Sequence, residues 1–318
     1  MEHKNIKVLW LGIDREERVA KHFIDLRNSF SEIADITVLN HGICTKTPSI
    51  DSLDLMVNGD GREKILQSHL IDNNYDFIIC DAPFAFNHED WGLIDTPKAV
   101  IIEDQHNESP KIQVDFAVDN NFIILHRYKF NKYHTKLPKH IKTIWFPHSV
   151  NTDVFKDYSL DKEYGVLLTG AMYMVYQTRH RLNKLFDDQK WFSRLVRPKE
   201  IDKVKWPAGG DYAKELNKSI MAVCCGSTHQ YPVMKYFEIP ASKSIVYGDW
   251  FSELGDLGFM PGINMIVAED DAIGQVNELL KNPDGLDKIS QSGFNLINSR
   301  HTNTIRAKEL LDIIKENK

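Results

Sequence analysis

The feature that most limits what this chain can become is an alternation that runs along it and then starts again. Strand-length apolar runs alternate with segments whose apolar residues recur at helical spacing. Residues 6–12 read as a buried strand, and Val19, Phe23, Leu26 and Phe30 then fall on one face of a helix over 15–30. A strand at 36–39, a helix near 62–72, strands at 75–80 and 98–102, and shorter strands at 114–118, 121–125 and 142–146 follow. This βαβ rhythm is that of a parallel sheet covered on both faces. Residues 147–153, which open on Pro147-His148, interrupt regular structure. The pattern then restarts with strands at 164–169, 219–225, 244–247 and 263–267. Helix patterns lie at 175–187, 211–217, 232–242 and 271–281, and 284–317 reads as helical throughout.

A chain of 318 residues is long enough for two domains, each with its own core. The expected fold class is therefore α/β, with two Rossmann-like, doubly wound domains facing each other and a ligand crevice at the carboxyl ends of their strands. Expected boundaries are 1–149, 150–299 and a C-terminal helix over 300–318.

Composition removes several function classes. With 42% hydrophobic and 26% charged residues the chain is an ordinary globular one. Its 39 Lys+Arg against 45 Asp+Glu give a net charge of -6, no footprint for a nucleic-acid backbone. No apolar run reaches the ~20 residues of a bilayer span, so no integral membrane segment is expected, and the first residues lack a signal-peptide pattern. Cys44, Cys80, Cys224 and Cys225 form no C-x-x-C pair and read as thiols of a reducing, cytoplasmic protein. There is no G-x-x-x-x-G-K-[ST], no G-x-G-x-x-G after the first strand, no H-E-x-x-H, no G-x-S-x-G and no pair of aspartates at i and i+2.

Residues 219–248 carry the most information. A strand ends at Cys225, a small polar loop with Gly226, Ser227 and Thr228 follows, and a helix is expected to open near Pro232. Such an opening near Tyr231 would turn backbone N–H groups toward a diphosphate. Lys235 and Glu238 stand three apart and share a helical face, a spacing that suits phosphate and ribose contacts but equally an exposed ion pair.

Four stretches in order resemble the CgeB-type (spore maturation protein) glycosyltransferases, which group with the family 4 like retaining glycosyltransferases of GT-B fold. They are Lys235 through Ser242, the segment Thr143 through Asp153, Val166 through Gly170 with Tyr173 and Arg179, and His301-Thr302 with Arg306, Ala307, Leu310 and Leu311. The resemblance covers 143–318 well and the first half weakly. It implies a GT-B fold whose last helix crosses back to the first domain. It also implies transfer of a sugar from a nucleoside diphosphate sugar, a UDP-sugar first among them, to an acceptor hydroxyl with retention and without an obligatory metal or other cofactor.

By the same resemblance Glu238 would hold the donor ribose, and Gln230 stands eight residues upstream where relatives carry a second glutamate. Lys235 and Arg179, with Arg181 in reserve, would neutralise the diphosphate. Gly170, Tyr173, Gly226, Ser227 and Tyr231 complete the donor-binding candidates. On the acceptor side the loop after the 98–102 strand offers Asp104 and His106 in a D-x-H spacing, as catalytic candidates beside Lys235 and Arg179. Asp81 and Pro83 follow the 75–80 strand, and Gly12 and His148 are possible cleft residues.

The acceptor class stays open among a glycan, a protein, a small molecule and a modified nucleobase. Two other functions fit the same pattern: a nucleotide-sugar epimerase or hydrolase, and a non-catalytic sugar-nucleotide binding module in which Gln230 and Lys235 mark lost chemistry.

Overall fold

The computed structural model describes residues 6–12, 21–41, 52–55, 74–81, 91, 94–103, 108–129, 137–196 and 207–318. The chain divides into two compact units. Unit 1 comprises Met1–Pro147 with Asn303–Lys318, and unit 2 comprises His148–Thr302.

Unit 1 is built on strands β1 (Lys7–Gly12), β2 (Asp35–His41), β3 (Ser52–Leu55), β4 (Phe77–Cys80), β5 (Lys98–Ile102), β6 (Ile123–His126) and β7 (Thr143–Trp145). They form one sheet in the order β3-β2-β1-β4-β5-β6-β7, and every pairing is parallel. The period of two along a strand sorts its side chains between two cores. Val8, Trp10, Phe77, Ile79, Ala99 and Ile101 pack on one face with Leu26 and Phe30 of α1 (Lys21–Ser31). Leu9, Leu11, Ile78, Cys80, Val100 and Ile102 pack on the other with Val114 and Ala117 of α2 (Glu108–Asp119). Continuous apolar runs in the sequence are explained by this burial on both faces.

Unit 2 contains β8 (Tyr164–Gly170), α3 (Gln177–Leu185), β9 (Phe192–Val196), α4 (Gly210–Asn217), β10 (Ser219–Cys224), α5 (Lys235–Ala241), β11 (Ile245–Gly248), α6 (Ser252–Asp256), β12 (Ile266–Val267), α7 (Ala272–Leu279) and α8 (Pro283–Arg300). Its sheet runs β12-β11-β10-β8-β9, again entirely parallel. Val166, Leu168, Met221, Val223, Ile245 and Tyr247 pack against Leu182 of α3, Phe186 just after it, and Ala272 and Val276 of α7. On the opposite side α4 and α5 lie on β10, and α5 also lies on β11.

The last helix, α9 (Asn303–Asn317), returns to unit 1, where it packs on α1 and places Ala307, Leu310, Leu311 and Ile314 in the first core. The expected α/β fold with a returning C-terminal helix is the observed one.

Four local expectations need correction. Residues 114–118 are part of α2 and not a strand, because Val114 and Ala117 are buried while Asp115 and Asp119 face solvent, a helical period. The tail over 284–317 is two helices, since α8 ends at Arg300 and α9 starts at Asn303. Between them Val150 N–H donates to His301 O at 3.0 Å, and Val150 pairs with Thr302 in a parallel bridge. The helix expected from Pro232 starts at Lys235, after a turn over 227–230. Finally, β9 is a strand that the sequence pattern did not single out. The helix expected near 62–72 and the first part of that over 15–30 lie outside the described residues.

Candidate functional site

In an open parallel sheet, the crevice for a ligand lies at the carboxyl ends of the two strands whose connections leave in opposite directions. In unit 2 those strands are β8 and β10, because β8 leads outward to β9 and the chain then returns past β8 to β10. The loops after β8, β10 and β11 therefore hold the candidate site.

Lys235, at the start of α5, reaches back to the end of β8, where Nζ donates to Thr169 O at 2.7 Å. Gly170 permits this approach. Its φ is +96°, and a Cβ there would fall 2.1 Å from Lys235 Nζ and 3.4 Å from a terminal nitrogen of Arg179. Two side-chain cations thus converge on one glycine. Arg179 is 3% exposed. Its guanidinium lies 4.1 Å from the Tyr176 ring centroid and donates to Ala171 O, and its Nε has no hydrogen-bond partner among the described residues. Burial, with the Arg179 charge second, pushes the Lys235 ammonium down to about 7. Lys235 is therefore no surface partner of an exposed pair.

The Glu238 charge stands near both Lys235 and Tyr212 of α4. The Tyr212 hydroxyl shares a 3.0 Å hydrogen bond with Thr169 Oγ1, and burial, aided by Glu238, raises its pKa. Burial also raises the thiols of Cys224 and Cys225.

The loop after β10 is a tight turn. Tyr231 N–H donates to Gly226 O at 2.8 Å, Gln230 N–H to Ser227 O at 3.2 Å, and His229 N–H to Ser227 Oγ at 3.2 Å. Ser227 and Gln230 adopt φ of 61° and 55° to close it. A Cβ at Gly226 would lie 2.4 Å from the Phe251 ring, so packing requires glycine there. Gln230 is exposed, while Tyr231 is buried beneath a stacked His229 ring at 5.5 Å. Thr228 N–H donates to Val175 O at 2.9 Å, which ties this turn to the β8–α3 loop that carries Tyr173, 63% exposed.

Three N–H groups at the start of α5 are not available for the expected contact with a diphosphate. The N–H groups of Tyr236, Phe237 and Glu238 are already bonded to Val233 and Met234 carbonyls. Arg181 is likewise engaged elsewhere, on Glu269 O at 2.9 Å and Ala268 O at 3.4 Å.

In unit 1 the corresponding strands are β1 and β4, and their ends place Gly12 beside Asp81. A Cβ at Gly12 would lie 2.9 Å from Arg27 and 3.1 Å from an Asp81 carboxylate oxygen, which itself belongs to a group accepting Trp10 Nε1–H at 2.7 Å. Glu103, after β5, pairs with His22 Nε2 at 2.9 Å and with Arg127 Nε at 3.2 Å. Arg127 is buried and donates to Phe146 O and Pro147 O, each at 3.3 Å. Asp104, His106 and Pro83 lie outside the described residues. His148 belongs to unit 2, is 3% exposed and packs edge-on against Phe237 of α5 with ring centroids 6.3 Å apart.

Sequence reasoning missed His22, Tyr212 and Asp249. Asp249 was accessible to the rule already applied elsewhere, since it is the first residue beyond an apolar strand. His22 and Tyr212 carry no such signal, because helix residues reach a site only through packing.

Residues 162–312 match the family described as glycosyl transferase-like. Among curated proteins no significant sequence relative is found. Solved structures resemble the whole chain at low identity. HepE from Anabaena, in complex with UDP-glucose, has a TM-score of 0.72 and 12% identity, covering 98% of this chain and 100% of its own. A sucrose-phosphate synthase from Thermosynechococcus elongatus has a TM-score of 0.67 and 8% identity, covering 98% of each chain. A glycosyltransferase from Rickettsia africae has a TM-score of 0.64 and 13% identity, with the same coverage. Residues 162–312 are thus similar to glycosyl transferase-like domains, in a chain with the α/β fold of GT-B glycosyltransferases.

Proposed function

We propose that this protein transfers a glycosyl group from a nucleoside diphosphate sugar, a UDP-sugar first among candidates, to a hydroxyl of an acceptor. The observation that carries this reading is the convergence of Arg179 and Lys235 on Gly170 at the carboxyl end of β8, with Glu238 three residues further along α5. Two cations at one point suit a diphosphate leaving group, whose developing charge they stabilise as the glycosidic bond to phosphate breaks. Glu238 would accept hydrogen bonds from the ribose hydroxyls, and Gln230, exposed on its turn, would meet the sugar through an amide that both donates and accepts. Gly226, Ser227, Tyr231 and Tyr173 would shape the walls of that donor site.

We further propose retention of anomeric configuration and independence of metal, both on the resemblance to CgeB-type enzymes. The departing phosphate would then take the acceptor proton as the new bond forms. Asp104 and His106 remain the proposed acceptor-side groups. The division into an acceptor-side region and a donor region would follow the domain boundaries expected from the sequence. Buried thiols at Cys80, Cys224 and Cys225 suit a reducing compartment, which is the basis for proposing a cytoplasmic protein. Among the described residues no helix is long and apolar enough to cross a membrane.

The test is calorimetric titration with UDP-, GDP- and ADP-sugars, followed by product analysis. Absence of binding by all of them, or full activity in Glu238→Ala, overturns the reading. Turnover of donor without acceptor would instead indicate an epimerase or hydrolase.

A further inference from the structure

Asp249, the first residue after β11, has contacts that reach three other segments. Its carboxylate accepts a hydrogen bond from Thr178 Oγ1 of α3 at 2.5 Å and another from the Gly226 backbone N–H. Its main-chain carbonyl accepts the Tyr236 hydroxyl of α5 at 3.2 Å. Each of those segments carries donor-site candidates: Arg179 follows Thr178, the turn with Ser227 and Gln230 follows Gly226, and Lys235 and Glu238 flank Tyr236.

We propose that Asp249 is a positioning residue that locks the spacing of α3, the turn after β10 and α5, so that Arg179, Gln230 and Lys235 meet a sugar nucleotide as one preformed surface. Asp249 does not itself contact the substrate in this role. The identity of the ligand rests on the reading above, whereas the lock belongs to the ligand-free protein.

The chemistry favours a carboxylate here. A single anionic group that accepts from donors on two separate segments makes charge-assisted bonds, roughly twice as strong as neutral ones. An immobilised site also loses less freedom when its ligand arrives. The groups facing the carboxylate are Thr178, Arg179 and Arg181 of α3, Gly226, and the thiols of Cys224 and Cys225 at the end of β10, with Tyr236 of α5 beside them. Burial raises the Asp249 carboxyl, while Thr178, Gly226 and the two arginines oppose that rise. A neutral, protonated Asp249 gives up the charge assistance, so the lock weakens on acidification.

Full-length Asp249→Ala and Asp249→Asn test this by two readouts. In the ligand-free protein, hydrogen exchange over 226–235 and 171–181 is expected to rise about 10-fold or more in Asp249→Ala and by a smaller factor in Asp249→Asn, which keeps an acceptor oxygen but gives up the charge. In titrations with UDP-glucose, Asp249→Ala is expected to weaken affinity about 10–100-fold, the range for losing hydrogen bonds to a charged group. Asp249→Asn retains the shape and is expected to move the acid midpoint of binding to lower pH. Unchanged exchange in Asp249→Ala, or an unchanged acid midpoint in Asp249→Asn, overturns the proposal. If UDP-glucose and the other sugar nucleotides do not bind the wild type, the donor-site reading fails, and the exchange measurement alone decides the lock.

Discussion

Lys235 and Arg179, which lie 56 positions apart in sequence, press two cationic groups against the same glycine, Gly170. Like charges in a partly desolvated place are costly, and the cost falls on the group that can shed its proton. That group is Lys235, whose ammonium is pushed down to about 7 by burial and by Arg179.

A pH dependence follows with a definite sign. In the free protein Lys235 loses its proton as pH rises through about 7, and an arriving diphosphate favours the charged form. UDP-glucose affinity is therefore expected to fall above that pH, by up to about tenfold per unit, with proton uptake on binding. Calorimetry in two buffers of different ionisation enthalpy measures the uptake, and Lys235→Met should abolish it. Folding stability responds oppositely. Between about 7 and the unfolded value of 10.5 the unfolded chain binds more protons, so this group makes the ligand-free protein more stable as pH rises.

Gly170→Ala should fail at the same point for two reasons. Its positive φ is unfavourable for alanine, costing about 1–2 kcal/mol, and the new Cβ meets Lys235 Nζ. A melting temperature lowered by several degrees, together with UDP-glucose affinity reduced at least about 10-fold, is the expected outcome. Wild-type affinity in this variant would show that the convergence of cations is unimportant.

Glu238 is half-buried on a helix whose apolar residues do the packing. Glu238→Gln should leave thermal stability nearly unchanged while weakening sugar-nucleotide binding by about 1.5–3 kcal/mol, the loss expected for hydrogen bonds to a charged acceptor. Parallel melting curves and titrations separate the two effects.

Leu310 of α9 is fully buried in the core of unit 1 although it is encoded after all of unit 2. Leu310→Ala should cost about 2–5 kcal/mol in urea unfolding, as for other buried leucines. A cost below about 1 kcal/mol would mean that α9 contributes little to that core.

Cys80, Cys224 and Cys225 are buried cysteines, and burial raises the pKa of Cys224 and Cys225. A thiolate-selective reagent at pH 8 should leave these three unmodified in the native protein and label them rapidly after denaturation, which peptide mass mapping can follow.

The sequence by itself determined the architecture: runs such as Val8–Leu11 and Phe77–Cys80, apolar on both faces, can only be interior strands of a covered parallel sheet. It also exposed Lys235 and Glu238, because their spacing on one short helix is local information. Where periodicity was ambiguous it misled, as at 114–118, where a run of five residues fits a strand or a helix equally well until Val114 and Ala117 are seen to share a face. Only the tertiary structure decided which groups meet. Strand order placed the ends of β8 and β10 together, and that brought Arg179 to Lys235 and Asp249 to Thr178 and Gly226. Such encounters depend on crossovers between distant segments, and one-dimensional spacing has no term for them.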